Sequence, residues 1–70
     1  MLNQKRTLIK EVNTDKYSVS LMQDWNDEYY ILYAPVVNGV LKNQKVSEFI
    51  KDFGIASHLF DLKIKDFETH

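Results

Sequence analysis

The sequence predicts an α+β fold, a small antiparallel sheet made of a three-stranded meander plus a C-terminal strand, covered on one face by a single helix. Three observations lead there. Tyr17 to Gln23 alternates with the period of a half-buried strand, and a second strand-like run, Glu28 to Ala34, follows one turn-rich cluster later. Val46, Phe49, Ile50 and Phe53 repeat at helical spacing instead. The 70 residues leave room for one small domain, 1–70, whose ends 1–4 and 67–70 are expected to be mobile.

Taken in order, Arg6 to Val12 reads as the weakest strand, with Leu8 and Val12 on one face and Ile9 on the other. Lys10 falls on the core face, which suits an edge strand better than a central one. Asn13 to Lys16 then forms a turn. If Asp24 to Asp27 is a four-residue loop, Gln23 sits opposite Glu28. Tyr17, Val19 and Leu21 then share a wholly apolar face with Ala34, Leu32 and Tyr30. A slip by one residue would bring the serines into that set, and this penalty is what normally pins a hairpin.

Beyond Pro35, Asn38-Gly39 lies between apolar residues and marks a tight type I′ turn, because both central positions of that turn need positive φ. Its arms are short, so a tight loop with little sheet fits equally well. The helix over Val46 to Phe53 takes Ser47 as its N-cap and Gly54 as its stop. Phe60, Leu62 and Ile64 then alternate with Asp61, Lys63 and Lys65 as a last amphipathic strand; a second helix across Leu59 to Phe67 is the alternative.

Composition narrows the function classes. A net charge of −1, with eight lysines and only Arg6 as arginine, is far from the basic surface of a nucleic-acid clamp. The absence of cysteine removes disulfides, thiolate metal sites and thiol catalysis. No stretch has the length and apolarity of a signal peptide or a membrane span, so the expected location is cytoplasmic, with no membrane partner.

Chemistry-bearing patterns are few. Ser57-His58-x-x-Asp61 holds the residue types of a hydrolase triad, but adjacent residues point apart on a helix or a strand, so Ser57 is badly placed to give its proton to His58. Asp24-x-Asn26-x-Glu28 opens like a calcium loop and then fails, with Tyr29 where glycine is needed and Pro35 where a glutamate is needed. Gly39 and Gly54 are too far apart to cradle a phosphate. The expectation is a protein that is not an enzyme, without cofactor or metal; a small enzyme using His58 and Asp61 is the remotest alternative.

Aromatic surface is the informative feature. With the helix on the wholly apolar face, Met22, Tyr29, Ile31 and Tyr33 point away from it, with Trp25 at the loop tip. Tyrosine and tryptophan bury large rigid area while keeping one polar atom satisfied, as interface hot spots require. These five residues are the expected binding surface for a protein partner or for another copy of the chain. The structural alternative is that the N-terminal arm or Phe67 folds across this face. Single-stranded nucleic acid stacking on the tyrosines, with Lys42, Lys45 and Lys51 as a rim, is the other alternative.

Overall fold

The computed structural model describes residues 6–69. Its elements are β1 (Thr7–Asn13), β2 (Tyr17–Gln23), β3 (Tyr29–Val37), β4 (Val40–Leu41), β5 (Lys45–Val46) and α1 (Phe53–Glu68). All pairings are antiparallel in the order β1-β2-β3-β4, and β5 joins the same outer edge of β3 as β4. The α+β class, with one helix on a small antiparallel sheet, is the one the sequence predicts. Three details differ, and the first decides which side chains face outward.

Gln23 pairs with Tyr29, not Glu28, and Tyr17 pairs with Pro35. The loop is one residue longer than expected because Asp24 draws Glu28 into it. Its Oδ1 accepts from the amides of Asn26 (2.8 Å) and Glu28 (3.0 Å), while its own N–H donates to the Glu28 carbonyl (2.8 Å). Asp27 takes the left-handed conformation this closure needs, with φ 60°. A one-residue slip moves every β3 side chain to the other face. Tyr17, Val19 and Leu21 therefore share their face with Tyr29, Ile31 and Tyr33.

The second difference is the helix. Val46 is in β5, and Ile50 exchanges two backbone hydrogen bonds with Tyr29 (2.7 and 2.8 Å), so the stretch read as helical runs extended along β3. Ser47 completes the seal, donating from its N–H to the Ile31 carbonyl (2.9 Å) and accepting the Ile31 N–H on Oγ (2.8 Å). Residues 40–50 thus form one broken strand. On this edge Pro35 offers only its carbonyl, which accepts from Lys42 (2.9 Å), and the break between β4 and β5 falls opposite it. The Asn38-Gly39 turn joins β3 to β4 as read, with φ 54° and 78°.

The third is the C-terminal strand, which does not exist. Asp52 caps α1 through Oδ1, which accepts the Ile55 N–H at 2.9 Å, and the helix runs through Gly54 to Glu68. Ala56 and Phe60 are buried and Leu59, Ile64 and Phe67 partly so, a helical stripe that the alternation of Phe60, Leu62 and Ile64 conceals. These residues close over Tyr17, Val19, Leu21 and Ile31 to make the core. Phe67, expected in a mobile end, stacks on Tyr17; residues 1–4 and 70 lie outside the described residues.

At the other sheet edge, β1 carries a bulge between Leu8 and Lys10. Leu8 pairs with Met22 on the face away from α1, whereas Ile9 packs on the core, the reverse of the sequence reading. Lys10 lies opposite Leu21 on the helix side, as expected of an edge strand. Its ammonium sits 5.6 Å from the Phe60 ring centroid and donates to Ser57 Oγ at 2.8 Å.

Candidate functional site

The pleat gives the sheet a second face, away from α1. Register places on it Leu8, Glu11 and Asn13 of β1, Ser18, Ser20 and Met22 of β2, and Tyr30, Leu32, Ala34 and Val36 of β3. Val46, opposite Leu32, extends it across β5. Phe49 folds over the end of this face, its ring 5.1 Å from that of Tyr30, which is only 4% exposed. Phe49 itself is 53% exposed, Val46 54% and Leu8 48%.

At the polar end of the face two serine hydroxyls are hydrogen-bonded within the sheet. Ser20 Oγ donates to the Glu11 carboxylate at 3.1 Å and Ser18 Oγ to Asn13 Oδ1 at 2.5 Å. Glu11 is the single charged residue among these strand positions. Beside this polar corner lies a continuous apolar surface of Leu8, Met22, Leu32, Val46 and Phe49 over the buried Tyr30 ring.

The five residues expected to form one binding surface are therefore divided. Ile31 is core, 1% exposed. Tyr29 and Tyr33 are half-buried beneath the helix side, Tyr29 edge-on to Phe53 at 5.4 Å and Tyr33 under the Lys63 ammonium at 4.2 Å. Only Met22 faces away from α1, and Trp25 stands 58% exposed at the loop tip. Sequence reasoning missed Leu8, Leu32, Val46 and Phe49. The signal for a second apolar face was present in β3, since strands buried on both sides read as continuous apolar runs.

Between α1 and β5 an open groove of about 750 Å³ is floored by Ile31, Tyr33 and Leu59 and rimmed by Leu62, Lys63 and Glu48. Ser57 and His58 are neighbours on α1, with the Ser57 hydroxyl accepting from Lys10 and His58 exposed. Asp24 spends its carboxylate closing the loop with Asn26 and Glu28. Among the described residues no cluster of three or more metal-ligating side chains occurs, and no helix is long and apolar enough to cross a membrane.

The titration of Tyr17 is shifted. The Tyr17 hydroxyl donates to Glu68 Oε2 at 2.8 Å, and this hydrogen bond, then burial, then the carboxylate's charge hold its pKa above 10.0. It lies on the helix side and serves the fold. Comparison with models of known families, with curated proteins and with solved structures finds no match to this chain.

Proposed function

We propose that this protein is a non-enzymatic binding module that engages another polypeptide through the sheet face opposite α1. The observation that carries the reading is the register of Gln23 with Tyr29, which turns Tyr30 and Leu32 outward beside Met22 and the exposed Leu8, Val46 and Phe49. Aromatic and large aliphatic side chains clustered without charge are what the centre of a protein interface uses. The same face argues against nucleic acid, because its strand positions hold no Lys or Arg to neutralise phosphate and its tyrosine is already covered by Phe49.

The test is site-specific photo-crosslinking. A benzoylphenylalanine replacing Phe49 is expected to give protein adducts in extract from the native host, while one replacing the exposed His58 on α1 gives none. Adducts that vanish on nuclease treatment support single-strand binding instead. Equal adducts from both positions, or none from position 49, overturn the proposal.

A further inference from the structure

We propose that Asn38 is a site of spontaneous covalent modification, at which the Gly39 amide closes on the asparagine side chain, expels ammonia and leaves aspartate or isoaspartate at position 38. The Gly39 nitrogen bonds to Asn38 Cγ, the bond from Cγ to the side-chain nitrogen breaks, and that nitrogen leaves as ammonia. A five-membered succinimide remains. Water then opens either ring carbonyl, giving aspartate or its β-linked isomer with no change of oxidation state. Such an intramolecular attack is limited by how freely the two groups meet, and a side chain on the following residue obstructs it. Of the five asparagines only Asn38 precedes a glycine; Asn13, Asn26 and Asn43 precede Thr14, Asp27 and Gln44.

The structure leaves both reacting groups available. Asn38 and Gly39 are exposed, and among the described residues neither the Asn38 carboxamide nor the Gly39 N–H is hydrogen-bonded. A Cβ placed on Gly39 would meet nothing within 4 Å, so no neighbour shields this peptide. Asn13, by contrast, is held by Ser18, and the Asn26 N–H by Asp24.

The turn itself is the brake. With φ 54° Asn38 is left-handed, a conformation that turns the Gly39 nitrogen away from Cγ, so the ring closes from an opened turn. Opening costs little here. The strand β4 has two residues, pairs with β3, and leaves Val40 55% and Leu41 46% exposed, so peeling it away uncovers little apolar area. The bonds from Ser47 and Ile50 that hold the rest of this edge to β3 are untouched. The two products then differ in consequence. Aspartate before glycine suits the same type I′ turn, so the hairpin survives with one added negative charge. Isoaspartate inserts a methylene into a two-residue loop whose length fixes the register, and β4 is released.

The test is incubation of the folded chain at mildly alkaline pH beside a sample unfolded in urea, both read by peptide mapping and mass spectrometry. In the folded chain position 38 should convert from amide to acid at least about tenfold faster than Asn13, Asn26 and Asn43. Its rate should lie less than about a hundredfold below that in urea, because local opening and not global unfolding sets it. Asn38→Asp supplies the unrearranged product and should keep hydrogen-exchange protection at the Lys42 amide, which donates to Pro35 at 2.9 Å. The purified isoaspartate form should lose protection at Lys42 and keep it at Ser47 and Ile50. A smaller margin over the other asparagines overturns the proposal, as does a folded-state rate more than about a hundredfold below that in urea. An isoaspartate form with Lys42 still protected overturns the release of β4.

Discussion

The ring of Tyr17 lies flat on that of Phe67, centroids 5.2 Å apart and planes within 7°, joining the start of β2 to the last turn of α1. This stack, with the Tyr17 hydroxyl on Glu68, fixes the C-terminal end of the helix to the sheet. The contact spans fifty residues of sequence, so it belongs to the folded chain alone.

Phe67→Ala is accordingly expected to destabilise by about 2 kcal/mol, below the ~3–5 of a fully buried phenylalanine because Phe67 is half-buried. Thermal unfolding should fall by on the order of 10 °C in a domain of this size. A change under ~0.5 kcal/mol in chemical denaturation would show that the helix end is held some other way.

Stability should also fall at alkaline pH. Folding raises the Tyr17 pKa above 10.0, so the folded state holds this proton more tightly than the unfolded chain. The resulting stability is fully present below pH 10 and is lost as pH rises through the folded value. Tyr17→Phe should flatten that alkaline loss relative to the wild type, measured as denaturation midpoints between pH 8 and 11. An unchanged slope would remove Tyr17 from the linkage.

Ser47→Ala tests the sealed edge of β3. It removes the hydroxyl that accepts the Ile31 N–H and leaves a partly buried donor unpaired, at a cost of about 1–2 kcal/mol. Amide exchange should accelerate at Ile31 and leave Leu21, in the core, little changed. Uniform acceleration at both would mean global destabilisation and not a local opening.

The register itself is open to a paired substitution. Ile31→Glu puts a charge into the core and should unfold the protein, whereas Leu32→Glu places it on the outer face and should cost less than ~1 kcal/mol. Circular dichroism of the two variants decides it. A four-residue loop would give the opposite pair of outcomes.

That reversal marks where sequence reading stops. The period of 2 in Tyr17 to Gln23, the apolar run on both sides of β3 and the Asn38-Gly39 turn are local signals, and each locates its element correctly. The spacing of Val46, Phe49, Ile50 and Phe53 is a helix signal of equal quality, yet the backbone of β3 needed edge partners and took Ser47 and Ile50 for them. Hydrogen-bond demand from a distant strand has no trace in local periodicity.

Local pattern in the chain therefore set the α+β class, the β2–β3 hairpin and the existence of more apolar sheet surface than one helix can cover. Which residues that surface holds depended on packing between distant segments. The choice turned on whether Glu28 belongs to the loop or the strand, a matter of two hydrogen bonds to Asp24. Because side chains alternate strictly along a strand, those two bonds exchange Tyr29, Ile31 and Tyr33 for Tyr30 and Leu32 on the outer face.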